Sequence, residues 1–345
     1  MPAGRPGDLI RSQDFDDYDL PMDVSVVRIL YHSRSGNGKD VATSGVVLFP
    51  VKKAPAGGWP VIAWAHDLNG VARTCAPSLM RNLRHGPFLS MYVQLGYAIV
   101  ATDYAGLGSK ERNAFADMTS NAYDVIYSIP AARKAVPQLG ERWVAMGTVE
   151  GGMAVLTVAE LEHGMRDPNF LGAVAISRTT DISDQYPPLN TTSHRMPLFL
   201  SYGIATIYPE FRPADILTSK GLDMFGHVAE TCASEGTQPE FSAPEMVKTN
   251  WQENSFVQRY FERNRLGLKP ADRPLLILGS EEDSTISQTA SAVSRLCKQG
   301  DHVQFEKFPG QDSGSLMGDS VRDQISWMER VFSGKAAPDD CKSLR

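Results

Sequence analysis

The chain has 345 residues, with 34 basic and 40 acidic side chains and a formal net charge of −6. This length can bury a large core, which we expect to form one large domain with an insertion rather than two domains. No run of basic residues gives the electrostatic footprint of a nucleic-acid-binding protein. The longest apolar runs, such as residues 61–65, are far shorter than the roughly 20 residues that a membrane span needs. We therefore expect a small-molecule partner, no nucleic acid and no membrane span, in a monomer or homodimer.

Residues 1–8 contain no apolar segment, so the sequence as given shows no secretory signal. The four cysteines lie far apart, with no Cys-x-x-Cys pair and no histidine at metal-ligand spacing: Cys75, Cys232, Cys297 and Cys341. We therefore expect no metal and no cofactor. Such scattered cysteines fit two disulfides in a secreted or periplasmic protein; the alternative is four buried thiols in a cytoplasmic one.

Short apolar runs rich in β-branched residues alternate with helical patterns along the chain. The runs are residues 45–49, 61–65, 97–101, 143–146, 173–176, 275–278 and 303–305. Their alternation with helices predicts an α/β architecture with a mostly parallel sheet, and their unbroken hydrophobicity predicts burial on both faces. Two late stretches carry apolar residues at helical spacing: 290–297, which stops at Gly300, and 321–332.

From about residue 181 to residue 250 prolines are frequent and no strand is evident. This change predicts a cap, or lid, of residues 181–250 inserted into a core of residues 1–180 and 251–345. Its apolar residues either line a ligand cavity or pack the cap onto the core: Leu198, Phe199, Leu200, Ile204, Ile207, Met224 and Phe225.

Residues 143–153 have the pattern of a strand, a sharp glycine-lined turn and the start of a helix, with Val149 at the centre of the turn. In the Gly-x-Ser-x-Gly elbow of hydrolases this position carries the serine nucleophile. Gly147 and Gly151 keep the spacing, but a hydrocarbon replaces the hydroxyl. Because a β-branched residue tolerates such torsions badly, at a cost of roughly 1–3 kcal/mol, we expect a relaxed turn or strain held by packing around Gly151 and Gly152. Glu150 would supply its backbone N–H to an oxyanion, with its side chain bonded to nearby backbone.

The other parts of a serine hydrolase are a carboxylate and a histidine base. Asp283 follows the strand at 275–278, where a triad carboxylate would orient the base. The loop after the last strand, 308–316, contains no histidine, and His302 lies before that strand. Losing such a triad costs roughly a factor of 10⁶ in turnover, so we expect ester hydrolysis near background.

The loop after the strand at 61–65 should point backbone N–H groups at a developing negative charge. Asp67 places a carboxylate there, which argues against oxyanion stabilisation unless the side chain turns away or is protonated; the alternative is that Asp67 caps the following turn. Leu68 belongs to the same oxyanion and ligand-binding loop. His66, near the catalytic end of the sheet, is a candidate ligand contact or acid–base group. Three histidines in loops or the cap could also reach this end: His85, His194 and His227.

Several motifs together resemble the secretory lipase family of fungi and bacteria, over roughly residues 25–335. They are Ala65-His66, residues 70–78, Gly96-Tyr97, residues 103–108, the Gly147-x-x-x-Gly151-Gly152 turn, residues 279–283 and residues 308–310. The resemblance implies an α/β-hydrolase fold acting on esters and acylglycerols, a lid over an apolar pocket, and secretion. It also implies disulfides joining Cys75 to Cys232 and Cys297 to Cys341.

The departures from this family fall where the chemistry should be. Val149 stands at the serine position, Ser313 at or beside the histidine position, and Asp67 where such proteins tend to carry a small residue; among the triad positions Asp283 alone matches. Several altered positions favour natural divergence over engineered inactivation.

Our leading hypothesis is therefore non-hydrolytic acid–base chemistry, such as cyclisation, isomerisation or elimination, on a small, largely apolar substrate. The candidate groups are Asp67, Asp283, Asp312, Tyr104 and His66. Crowded carboxylates without basic partners should have raised pKa values. The alternatives are a pseudoenzyme that binds an apolar ligand and an esterase with a disarmed triad.

Overall fold

The computed structural model describes residues 4–177, 179–185, 196–232, 243–310 and 313–344. Within them, one sheet has the strand order β1-β2-β3-β5-β4-β6-β7-β8-β9. The strands are β1 (Leu9–Asp14), β2 (Val24–Arg34), β3 (Asp40–Pro50), β4 (Trp59–Ala65), β5 (Ala98–Thr102), β6 (Leu139–Thr148), β7 (Phe170–Ile176), β8 (Leu275–Ser280) and β9 (Val303–Phe308). The helices are α1 (Gly86–Gln94), α2 (Met118–Ala135), α3 (Glu150–Met165), α4 (Met196–Ile207), α5 (Ser219–Val228), α6 (Ala243–Met246), α7 (Ser255–Arg263), α8 (Ile286–Gln299), α9 (Ser313–Asp319), α10 (Val321–Phe332) and α11 (Cys341–Leu344).

The sheet is mostly parallel, as the sequence predicts. Strands β5, β4, β6, β7, β8 and β9 pair in parallel, and β1, β2 and β3 extend the β5 edge by antiparallel pairing. Each of the seven apolar runs lies in or overlaps a strand from β3 to β9. Strands β1 and β2 were not predicted, because β1 is largely exposed and β2 mixes apolar residues with Arg28 and His32. Neither therefore shows a continuous apolar run.

Both faces of the central strands are buried, which explains their unbroken hydrophobicity. On β6, Ala145 packs into a core with α2 and α3, whereas Val144 and Met146 pack into a second core with α1 and α10. The predicted helices near the end of the chain are confirmed as α8 and α10. Helix α8 ends at Gln299, and the next residue, Gly300, has a φ of +98°, which suits glycine.

Two disulfides confirm the pairing that the resemblance implied. Cys75, after β4, is bonded to Cys232, just after α5, and Cys297 in α8 is bonded to Cys341 at the start of α11. Disulfides of this kind persist in an oxidising compartment.

Helices α4 to α7 lie between β7 and β8 in the chain. Helices α4, α5 and α6 fall within residues 181–250, where the sequence predicts a cap, whereas α7 lies beyond residue 250. Met224 and Phe225 are partly buried against the core that is shared with α2 and α3. The other five apolar cap residues are buried in this core: Leu198, Phe199, Leu200, Ile204 and Ile207. These five residues all belong to α4 and therefore pack this helix onto the core. The boundaries at 181 and 250 stay a prediction. No helix in the described ranges is long and apolar enough to cross a membrane.

The start of α3 packs directly on the end of β4. A Cβ atom at Gly151 would overlap the carbonyl oxygen of Ala65, and one at Gly147 would overlap the carbonyl oxygen of Gly151. Two glycines are therefore required here because backbone meets backbone, with no flexible side chain that could yield.

We expect Gly151→Ala to lower the free energy of unfolding by about 3 kcal/mol, because the added methyl group forces α3 away from β4. Gly164→Ala is the matched control, since Gly164 lies on the same helix with open space around its Cβ position. It should raise stability by about 0.5–1 kcal/mol. Urea denaturation followed by circular dichroism measures both, and equal effects of the two variants would contradict the packing argument.

Candidate functional site

The turn between β6 and α3 keeps the strained backbone of a nucleophile elbow. Val149 has φ 52° and ψ −111°, a left-handed region that a β-branched residue rarely adopts. Its N–H donates to the carbonyl of Ile176 at 2.9 Å, and the close packing of Gly147 and Gly151 fixes the chain on either side. Of the two outcomes that we expected, the turn has not relaxed; the strain is held by packing.

The first turn of α3 presents unpaired backbone donors. The N–H groups of Glu150, Gly151 and Gly152 donate to no acceptor among the described residues. Such groups at a helix N-terminus carry partial positive charge and favour a negatively charged or strongly polar acceptor. The donors of the elbow are therefore in place although its side chain carries no nucleophile.

Glu150, directly after Val149, has a buried side chain. Its Oε1 accepts hydrogen bonds from the backbone N–H of Ala116 at 3.2 Å and from Asn121 Nδ2 at 3.0 Å. Burial raises the pKa of Glu150 to about 7, and the charge of Asp67 adds to this effect. We expected a bond to nearby backbone; the backbone that it reaches belongs to the loop before α2.

Asp67 is not an unpaired carboxylate. It accepts hydrogen bonds from Arg84 Nε at 2.6 Å, Arg84 Nη2 at 2.8 Å and His85 Nε2 at 3.1 Å. Burial acts to raise its pKa, but the bonds from Arg84 and His85 prevail and hold the pKa well below its usual range. The expectation of a carboxylate without basic partners is therefore wrong for Asp67. Its side chain is directed at these two residues, so the oxyanion loop carries no unpaired charge.

Arg84 is the site residue that the sequence analysis missed. Leu83 and Arg84 both have left-handed φ values, 48° and 59°, and this local turn brings the guanidinium to Asp67 and to Asn69 Oδ1 at 3.0 Å. Nothing in the spacing of residues 81–85 indicates this contact. A positive φ in non-glycine residues leaves no signal in the amino-acid pattern.

His66 is buried beside Tyr104, with the two rings stacked at 4.2 Å between centroids. His66 Nδ1 lies 2.6 Å from the carbonyl oxygen of Asp67. Because a carbonyl oxygen only accepts hydrogen bonds, Nδ1 carries the hydrogen and Nε2 carries a lone pair. Nε2 has no hydrogen-bond partner in the described part of the chain. Burial lowers the pKa of His66 to about 4, so the ring is neutral at pH 7.

Tyr104 is hydrogen-bonded to the loop after β4 that carries His66 and Asp67. Its hydroxyl donates to the carbonyl oxygen of His66 at 2.9 Å, and burial raises its pKa well above the ordinary value. Leu68 is half-buried and packs against the main core. His66, Asp67, Tyr104 and Glu150 therefore meet at one end of the sheet, around the elbow.

The remaining candidates lie on the next strands. Asp283 follows β8 and is buried; its Oδ1 accepts hydrogen bonds from the N–H of Thr285 at 2.8 Å and from its hydroxyl at 2.7 Å. Ser313 begins α9. Asp312 and His194 lie outside the described residues. In the described ranges no group of three His, Cys, Asp or Glu side chains is placed to hold a metal ion.

Comparison with known families identifies the chain. The sequence model of the secretory lipase family matches residues 86–340, which is most of the chain. The protein belongs to the secretory lipase family. Comparison with curated protein sequences finds no match.

Solved structures confirm the fold of this secretory lipase family member. Lipase A of Candida antarctica is similar with a TM-score of 0.80 and 16% identity, covering 98% of this chain and 84% of that one. The closed state of the same lipase has a TM-score of 0.79 and 16% identity, covering 96% of this chain and 83% of that one. The rice cell wall degrading esterase LipA of Xanthomonas oryzae has a TM-score of 0.77 and 15% identity, covering 96% of this chain and 100% of that one. The α/β-hydrolase fold expected from the resemblance is therefore present.

In this family member, we expect Arg84→Met to lower the free energy of unfolding by about 2 kcal/mol, because it leaves the Asp67 charge desolvated without its main donor. The double variant Asp67→Asn/Arg84→Met should recover much of the loss. Arg81→Met is the control: its exposed ion pairs with Asp17 and Asp19 are screened by solvent, so the denaturation midpoint should barely move. If Arg84→Met and Arg81→Met shift the thermal denaturation midpoint equally, the Asp67–Arg84 ion pair does not stabilise the loop.

The buried carboxyl of Glu150 predicts a pH dependence of stability. Its folded pKa of about 7 lies above its ordinary value of 4.5, so its contribution is full below pH 4.5 and is lost as the pH rises to about 7. His66, with a lowered pKa, acts in the opposite direction below pH 6.5, and the pKa of Asp67 is too low to matter in this range. We compare wild type with Glu150→Gln from pH 5 to pH 8. The wild type should lose stability relative to the variant as the pH rises; a constant difference between the two would refute this assignment.

Proposed function

We propose that the protein binds an apolar, ester-like ligand on a lipase scaffold and does not perform serine-type ester hydrolysis. One observation carries this proposal: Val149 holds the strained elbow backbone, at φ 52° and ψ −111°, without a hydroxyl. Strain of roughly 1–3 kcal/mol persists only where the surrounding structure imposes it. With no nucleophile to expose, the elbow still serves to present the donors at the start of α3.

The state of the candidate acid–base groups favours binding over their use in catalysis. Asp67 is kept ionised by Arg84 and His85, and the Tyr104 hydroxyl is engaged by the carbonyl of His66. His66, with a pKa of about 4, is a weak base at neutral pH. These groups hold the oxyanion loop in shape, and their proposed role is positioning.

Two kinds of observation support the class of ligand. The family and its solved relatives are named as lipases and esterases, and we carry the ester-like ligand over to this chain as part of the proposal. The Val149 side chain is half-buried at the apex of the elbow, so a ligand there meets hydrocarbon beside the α3 donors. With the family assignment and the two disulfides, we further propose an extracellular or periplasmic location.

A second candidate function is non-hydrolytic acid–base chemistry with Glu150, rather than Asp67, as the proton donor. The supporting observation is the pKa of about 7 that burial gives to Glu150, since a group that titrates near the working pH is the most effective acid or base. Prolonged incubation of wild type and Glu150→Gln with a co-purifying ligand, followed by mass spectrometry, distinguishes the two. A new product that forms in wild type alone would favour this second function.

We expect the purified protein to remain unlabelled by a fluorophosphonate probe and to hydrolyse p-nitrophenyl octanoate at background rates, while binding methyl octanoate in a tryptophan-fluorescence titration. Val149→Trp should weaken that binding at least tenfold, because the larger side chain fills the apex of the elbow. Val51→Trp, at an exposed position near the end of β3, is the control and should bind as the wild type does. Stoichiometric labelling by the probe, or binding unaffected by Val149→Trp, would refute the proposal.

A further inference from the structure

We propose that a cavity between β1, β2, β3 and the loop after β4 binds a phosphate group through Arg11 and Arg28. The cavity has a volume of about 210 Å³. One water molecule needs roughly 10–15 Å³ of such space, so a group of several heavy atoms can enter. Within the described ranges, none of the residues that line the cavity belongs to the elbow or to its acid–base candidates. The site is therefore separate from the proposed ligand-binding function and goes beyond it.

The pairing of β1 with β2 brings the two arginines to the same cavity. Gln13 is paired with Arg28, and Arg11 is paired with Leu30. Because side chains alternate between the two faces of a strand, Arg11, Gln13 and Arg28 lie on one face of the sheet. Asp14, the residue after Gln13, lies on the other face. Strands β1 and β2 therefore supply two cationic side chains to the lining of the cavity and no carboxylate.

The guanidinium of Arg28 is held in place before any ligand binds. Its Nε donates to Tyr18 Oη at 2.7 Å, its Nη2 donates to the carbonyl oxygen of Ser78 at 3.2 Å, and its Cζ lies 3.4 Å from the centre of the Phe15 ring. These two hydrogen bonds use two of the five N–H groups, so three have no acceptor among the described residues. The fork of N–H groups that remains matches the oxygens of a phosphate.

Neither arginine is in contact with a carboxylate in the part of the chain that the structure describes. Arg11 is exposed, and neither it nor Arg28 forms an ion pair there. The acid behind the cavity is Asp103, which accepts hydrogen bonds from the hydroxyls of Ser44 and Ser78 and from the N–H of Ser78. The charge of Arg28 acts on Asp103 at longer range, without an ion pair. The donors of the two serines satisfy this buried carboxyl group, and the lining of the cavity keeps a positive charge.

A phosphate group fits these donors better than a carboxylate does. It carries roughly −1.5 to −2 charge at pH 7 and has three strong acceptor oxygens, so it can accept from both guanidiniums at once. A carboxylate has fewer oxygens and a smaller charge. Leu79, which is 52% exposed, lines the same cavity and offers an apolar contact. Inorganic phosphate and the phosphate of a lipid headgroup share this recognition chemistry.

The test is a calorimetric titration of the full chain with inorganic phosphate at pH 7. Gln13→Glu should lower the affinity roughly tenfold, because the new carboxylate lies opposite Arg28 and accepts from its free N–H groups. Gln138→Glu is the matched control. Gln138 is exposed just before β6 and undergoes the same change of charge, so this variant should bind phosphate as the wild type does.

A second variant removes one of the two cations and leaves the packed Arg28 in place. Arg11→Gln should weaken phosphate binding roughly threefold, since an exposed arginine contributes less than a fixed one. Arg34→Gln is its control, because Arg34 lies at the end of β2 and contacts the Tyr123 ring instead of the cavity. Thermal denaturation of each variant confirms that it is folded.

Equal phosphate affinity of wild type and Gln13→Glu would overturn the inference, and so would an equal loss in Gln138→Glu. Phosphatidylcholine vesicles with and without phosphatidate distinguish the two sources. Binding to the phosphatidate vesicles alone, lost in Gln13→Glu, would support the site and assign it to a lipid phosphate. Binding to neither inorganic phosphate nor these vesicles would overturn the site. Methyl octanoate should bind Gln13→Glu as it binds wild type, so loss of the phosphate site leaves the proposed function standing.

Discussion

The contact between the first turn of α3 and the end of β4 is the constraint on which the site depends. Gly147 and Gly151 bring backbone against backbone there, and no side chain can be accommodated between them. That contact leaves Val149 no relaxed conformation, which is why the torsions of a nucleophile elbow persist without a nucleophile. It also places the first N–H groups of α3, which have no acceptor among the residues that the structure describes, beside the loop that carries His66 and Asp67. The geometry of the elbow is thus imposed by backbone packing on either side of position 149.

The electrostatics of the site follow from how each acidic group is compensated. Asp67 is ionised and matched by Arg84 and His85, whereas Glu150 meets no cation among the described residues and is held near neutrality by burial. The pKa of Asp67 is therefore lowered and the pKa of Glu150 is raised, although both carboxyl groups lie near the elbow. The result is a site with little net negative charge beside the N–H groups that begin α3.

The sequence predicts the parts of the structure that leave a periodic or spacing signal. Strands β3 to β9 are unbroken apolar runs because both faces are buried, and α8 and α10 show amphipathic stripes. The elbow was visible because glycine spacing survives at residues 147 and 151. Strand β1 is exposed and β2 is interrupted by polar residues, so neither has such a signal. The Arg84–Asp67 pair depends on left-handed torsions at residues 83 and 84, and the Glu150–Asn121 bond on tertiary contact; neither can be read from spacing along the chain.

The disulfide between Cys75 and Cys232 joins the region just after the oxyanion loop to the end of α5, and Gly70 pairs with Cys232 through a backbone bridge at the same place. The disulfide limits the distance between the end of α5 and the loop that follows β4. Because the bond is covalent, Cys232 stays next to Cys75 and the end of α5 stays close to the loop that follows β4. The arrangement of the loop after β4 and the end of α5 is thus fixed by covalent chemistry as well as by packing.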